Sequence, residues 1–310
     1  MDVSRLVLGT MYFGTRTDER TSVAIIDAFV AAGGRTLDTA NCYAFWCSAD
    51  GRGGDSERLL GRWLAADAGR RQLVEIATKV GQEPTGSGVE GLSAEVVLRE
   101  CDRSLERLGV ETVDVHWAHG EDRSISLAET VTAFGELVTS GRARRVGVSN
   151  HPTWRVERAR RLAADAGVEP FTLLQLSTSY VEPRPGTTVE GKDHRFGFVT
   201  DETIDYLQEH PELELWAYSP LVQGAYDRAD RPFPQVYDHP GTTQRLAVLR
   251  AVAERRGVAP STIVLAWLLA RRPQARPIVG VSTLEQLDAA LAVADIDLEP
   301  EELARLDDPR

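Results

Sequence analysis

Residues 92–117 read LSAEVVLRECDRSLERLGVETVDVHW, one complete helix-to-strand unit. Leu92, Val96, Val97, Leu105 and Leu108 recur close to every 3.6 residues, with Glu95, Arg99, Glu100, Arg103 and Glu106 between them, which predicts an amphipathic helix over 92–108. Gly109 stands where a helix closes in a left-handed turn. A few residues later the apolar run Val113–Trp117 predicts a strand.

The same alternation repeats outward in both directions. Strands are predicted at Leu6–Leu8, Thr36–Asp38, Val74–Thr78, Val113–Trp117, Arg145–Val148, Thr172–Leu176, Leu215–Ala217 and Pro277–Val279. Helical patterns lie near 20–32, 55–67, 92–108, 126–140, 152–166, 201–209, 243–257 and 283–294, with two more near 260–271 and 300–307. Eight strand–helix units in a chain of 310 residues predict an α/β fold, a (β/α)8 TIM barrel in a single domain over residues 1–310. A doubly wound Rossmann sheet needs GxGxxG after its first strand, and none occurs. The glycines at 51–54 are not followed by GK[ST], so they do not form a phosphate loop. Two segments read as long loops over the C-terminal face of the barrel, Val181–Phe198 and Gln223–Gly241.

Composition narrows the function. The net charge is −12, which argues against nucleic acid and against an anionic membrane surface as partners. Three cysteines, Cys42, Cys47 and Cys101, cannot build a disulfide framework and fit the reduced cytoplasm. The N-terminal stretch has no apolar signal core, and no apolar run reaches membrane-spanning length. The spacing of Cys42 and Cys47 lacks a second ligand pair for zinc.

The chain has nearly abandoned lysine and asparagine. Of 35 basic residues 33 are Arg; the two Lys are Lys79 and Lys192, and the two Asn are Asn41 and Asn150. Active sites of such barrels gather at the strand C-termini. Lys79 ends its predicted strand there, a compact ammonium where the chain elsewhere uses the wide guanidinium fork. The bland alternative, a solvated amine, suits Lys192 in its polar loop better. Asp38 ends another strand and is placed to pair with Lys79; alone it could simply cap a loop. Tyr43 would be a packed aromatic by itself, but beside a buried ammonium its phenol should be lowered and become a usable acid. His119 could donate to a carbonyl oxygen. A metal held jointly by His116 and His119 is disfavoured, because strand alternation turns residues three apart to opposite faces. Trp46 and Trp117 could wall an apolar substrate pocket with Tyr43 and His119, or pack in the core.

Taken in order, several motifs resemble the aldo-keto reductase family over essentially the whole chain. They are Leu8-Gly9-Thr10-Met11, Asp38-Thr39-Ala40 with Tyr43, Gly54-Asp55-Ser56-Glu57 with Leu60-Gly61, Lys79, and Val113-Asp114-Val115 with His119. Then come Val146-Gly147-Val148-Ser149-Asn150, Gln175, Ala217-Tyr218-Ser219-Pro220-Leu221, and Ile278 to Thr283 with Gln286. The resemblance implies NADPH-dependent reduction of an aldehyde or ketone, with Asp38, Tyr43, Lys79 and His119 as the catalytic four and Tyr43 as the acid. It further implies that Thr10, Met11, Asp38, Ser149, Asn150, Gln175, Tyr218, Ser219, Leu221, Gly224, Gly280, Ser282, Thr283 and Gln286 hold the cofactor. Relatives often carry a lysine where this chain has Ala225, and Lys or Arg within 280–286, where it has none. Arg228 and Arg231 stand nearby to take a 2′-phosphate, which keeps NADPH ahead of NADH. Two other classes fit the barrel: a cofactor-binding redox sensor with little turnover, and a metal-dependent hydrolase using His116, His119 and Asp38.

Overall fold

A computed structural model describes residues 1–189 and 196–308; Lys192 and the loop residue Arg195 lie outside the described residues. Eight parallel strands form one barrel: β1 (Val7–Gly9), β2 (Thr36–Asp38), β3 (Glu75–Val80), β4 (Val113–Ala118), β5 (Ala143–Ser149), β6 (Leu173–Ser177), β7 (Glu214–Tyr218) and β8 (Ala275–Gly280). Closure comes from β1, which pairs with β2 on one side and β8 on the other. Every predicted strand is present, with ends shifted by up to two residues. A short hairpin, Pro84–Thr85 with Gly88–Val89, has no counterpart in the sequence reading, because two-residue strands carry too little alternation to register.

Around the barrel run α1 (Glu19–Ala31), α2 (Asp55–Ala65), α3 (Ala94–Leu108), α4 (Leu127–Thr139), α5 (Thr153–Ala166), α6 (Asp201–Glu209), α7 (Pro240–Arg256), α8 (Pro260–Ala270), α9 (Leu284–Leu291) and α10 (Pro300–Asp307). The unit that decided the fold forms as its residues dictate. Ser93 caps α3 by accepting from Val96 N, and Gly109 closes it at φ 65°. Glu100, assigned to the polar face, is in fact buried, where Arg99 and Arg103 donate to it.

Alternation along the strands builds two apolar layers. Val7, Ala77, Val115, Trp117, Leu173, Trp216 and Ile278 fill the barrel itself, and a larger cluster lies between strands and helices. Trp117 therefore does not wall a substrate pocket. It is wholly buried with its ring 5.1 Å from that of Trp216. Gly147 makes the room, since a Cβ there would come within 2.5 Å of the Trp117 ring. His116, one residue earlier, points the other way and packs on Phe134 of α4. Burial pushes its imidazole down to about 3.

The two long loops follow β6 and β7 and brace one another: Arg184 N donates to Val236 O at 2.7 Å, and Arg184 Nη2 to Asp238 O at 2.8 Å. The second is not structureless. It holds 3-10 turns at Val222–Gly224 and Gln235–Tyr237, and α7 already begins at Pro240. No helix among the described residues is long and apolar enough to cross a membrane.

Candidate active site

Because all eight strands run the same way, their C-terminal residues meet at one mouth. Lys79 projects inward from β3 and is wholly buried. Its ammonium has three hydrogens and three acceptors: Asp38 Oδ2 at 2.5 Å, Thr39 O at 2.7 Å and Tyr43 Oη at 2.9 Å. The other Asp38 oxygen accepts from Gln175 Nε2 at 3.0 Å. Burial pushes Lys79 down and Asp38 up, and their mutual attraction opposes both changes. His119 completes the group, its ring edge-on to Tyr43 with centroids 5.8 Å apart. The structure thus brings all four expected residues together.

One sequence expectation is reversed. Tyr43 is not lowered by its ammonium neighbour: burial raises it well above an ordinary phenol, and the Asp38 charge raises it further. Desolvation of the phenolate wins because Lys79 is already engaged by Asp38, so the pair presents little net positive charge to the phenol.

The residues behind this group explain its rigidity. The N-terminus of α2 ties three strand ends together. Ser56 Oγ donates to Thr10 O at 2.8 Å, Thr39 Oγ1 donates to Ser56 Oγ at 2.9 Å, and Thr10 Oγ1 donates to Asp38 O at 3.0 Å. Thr10, expected at the cofactor, is instead a wholly buried strut in this network, while Met11 beside it is half-buried. Glu57 accepts from Thr78 Oγ1 and from Arg107 Nε, both at 2.6 Å. The glycines at 51–54 also acquire a purpose. A Cβ on Gly53 would lie 2.2 Å from Asn41 O and 2.4 Å from Cys42 Cα, and Gly54 N donates to Tyr43 O at 3.1 Å. Only glycine lets this backbone press against the segment that carries Tyr43.

The remaining mouth residues fall into two sets. Asn150 is left-handed at φ 60°; its amide donates to His119 O at 2.9 Å and to Ser149 Oγ at 3.1 Å, and it accepts from Tyr218 Oη at 2.8 Å. Ser219, Val222 and Gln223 are also left-handed, so all four non-glycine residues of that kind among those described sit just past the ends of β5 and β7. A β-branched residue there is strained, and such strain concentrates at binding sites. Leu221 and Gly224 belong to the same turn, and the Arg228 side chain lies across Gly224. Arg228 is exposed and pairs with Asp230. At the end of β8, Gly280 faces open space, Thr283 caps α9, and the Gln286 side chain accepts from Ser282 N at 2.8 Å. Trp46 is 44% exposed at the rim, edge-on to Tyr12 and Phe45. Tyr12 does not stand out in the sequence, because a single aromatic in a loop carries no periodicity. No group of three or more potential metal ligands occurs among the described residues.

A model of the aldo/keto reductase family matches residues 5–309. The chain is 30% identical to norsolorinic acid reductase stcV of Emericella nidulans, across 99% of this chain and 78% of that protein. It is 29% identical to the oxidoreductase YrpG of Bacillus subtilis, across 99% and 92% of the two chains. It is 30% identical to the aldo-keto reductase str7 of Strobilurus tenacellus, across 98% and 85%.

Proposed function

This chain belongs to the aldo/keto reductase family, and from that premise we propose that it reduces an aldehyde or ketone to an alcohol with NADPH, Tyr43 acting as general acid. The observation that carries the proposal is the Lys79 ammonium, buried and shared among Asp38, Thr39 and Tyr43. A bound reduced nicotinamide supplies the hydride. The residues present fit such a cofactor. The Asn150 amide joins His119 O to the Tyr218 hydroxyl, the strained turn 219–224 follows Tyr218 in the chain, and the α9 N-terminus comes just after the end of β8. Ser149, Asn150 and Gln175 would hold the carboxamide, with Tyr218 against the ring. Ser219, Leu221 and Gly224 would line the pyrophosphate, Arg228 and Arg231 the 2′-phosphate, and Gly280, Ser282, Thr283 and Gln286 the adenosine.

The protein's own part is proton transfer and charge placement. His119 orients the carbonyl oxygen. Hydride addition turns that oxygen into an alkoxide, a far stronger base than a tyrosinate. Tyr43 therefore yields its proton downhill even though burial raises its pKa. The tyrosinate left behind lies 2.9 Å from Lys79 Nζ, which stabilises it until solvent returns the proton.

The Trp46, Tyr12 and Phe45 rim favours a flat, apolar carbonyl compound over a sugar, in keeping with relatives named for reducing norsolorinic acid. Three free cysteines support a reducing cytosol as its place of action. Oxidation of NADPH and of NADH is to be followed with a panel of aryl, aliphatic and sugar carbonyls. Failure to oxidise either cofactor with any of them overturns the proposal.

A further inference from the structure

Cys42 directly precedes Tyr43 and is 3% exposed, with its sulfur 3.5 Å from His119 Nδ1. Both partners are held by backbone contacts. His119 N donates to Val80 O at 2.9 Å, and His119 O accepts from Asn150 Nδ2 at the same distance. Cys42 has the Gly53 backbone pressed against it, and its carbonyl accepts from Phe45 N at 3.1 Å. The contact therefore joins two segments whose backbones the fold holds in place.

We propose that Cys42 is a positioning residue: its thiol donates to His119 Nδ1 and fixes the imidazole as the tautomer that carries its hydrogen on Nε2. Direction follows from the chemistry of the pair. A thiol has one hydrogen to give and its sulfur is a weak acceptor. Burial raises the Cys42 thiol far above its usual range, so it keeps that hydrogen at any working pH. Which nitrogen of a neutral imidazole is protonated is set by the bond the other one makes. With Nδ1 engaged as acceptor, Nε2 becomes a donor. A donor is what a carbonyl oxygen requires; the opposite tautomer would turn a lone pair toward it. The same buried thiol is a poor nucleophile, so a redox role for Cys42 does not arise from this geometry.

The inference rests on His119 orienting a carbonyl, as proposed above, but its test has an independent readout. Wild-type, Cys42→Ser and Cys42→Ala proteins labelled with 15N in histidine are compared by long-range proton–nitrogen correlation, the His119 signal being assigned by its loss in His119→Gln. Turnover is measured with NADPH and 4-nitrobenzaldehyde. In the wild type and in Cys42→Ser the hydrogen is expected on Nε2. In Cys42→Ala part of the signal moves to the Nδ1-protonated form, and kcat falls by about fivefold, the worth of one ordinary hydrogen bond, with KM for NADPH unchanged. A wild-type ring protonated on Nδ1, an unaltered tautomer in Cys42→Ala, or a Ser variant as impaired as the Ala variant overturns the proposal. Should Cys42→Ala not fold, the wild-type and Ser spectra decide alone. Absence of carbonyl reduction by the wild type would instead defeat the functional reading and leave the tautomer result standing.

Discussion

Thr78 and Glu57 meet inside the helix layer, the Thr78 hydroxyl donating to Glu57 Oε1 at 2.6 Å, one residue before Lys79. Alternation along β3 turns Thr78 outward and Lys79 inward, so whatever anchors the first aims the second. Glu57 is fully buried, and its second oxygen is held by Arg107. Replacing Glu57 by Ala strands the Arg107 charge in that layer. The expected cost is about 3–5 kcal/mol of stability, the range for breaking a buried pair by removing one partner. Urea unfolding checks it; a loss below about 1 kcal/mol, the value for an exposed pair, would show that the contact does not matter.

Tyr43→Phe removes the proposed acid and keeps the ring. NADPH binding, followed by quenching of tryptophan fluorescence, should survive, while reduction falls by about a hundredfold or more. The wild-type rate also carries a pH signature. The acid form is the active one, and Tyr43 is raised above its ordinary value of about 10. The reduction rate should therefore show no loss from phenol ionisation between neutrality and about pH 10. A fall near pH 8 that vanishes in the Phe variant would mean the phenol is lowered after all.

Arg228 holds Asp230 at the surface, an exposed pair that a phosphate dianion can displace. Replacing Arg228 and Arg231 together by Ala should raise KM for NADPH by about tenfold, the scale of one charged hydrogen bond, and leave NADH unaffected. Equal effects on the two cofactors would remove these arginines from the 2′-phosphate.

His116 makes stability depend on pH. Its pKa falls from 6.5 to about 3 on folding because the ring is buried, and both its nitrogens lack hydrogen-bond partners. The unfolded chain takes up a proton below pH 6.5 that the folded chain refuses, so this part of the stability is complete above that value and is lost as pH falls toward 3. His116→Leu fills the apolar site without a titrating group. Its gain in Tm over the wild type should be larger at pH 5 than at pH 7.5; an equal gain at both would show that the imidazole does not titrate on unfolding.

Much of this protein is determined by local pattern. The 3.6-residue period of α3, its Ser93 and Gly109 ends and the apolar run after it exist in the sequence before any contact forms, and their repetition dictates eight units and a barrel. Parallel strands then place Asp38, Tyr43, Lys79 and His119 at one mouth, because each lies at the end of a strand or shortly after one. What no local pattern holds is the balance of long-range terms. Whether Trp117 lines a pocket or fills the barrel depends on Trp216 and Gly147, distant in sequence. Whether the Tyr43 phenol rises or falls depends on how deeply it is buried and on how completely Asp38 offsets the Lys79 charge. The Ser56 and Glu57 struts and the Cys42–His119 contact likewise join segments that meet only after the barrel closes. Periodicity is a property of neighbours along the chain; solvation and charge compensation are properties of neighbours in space.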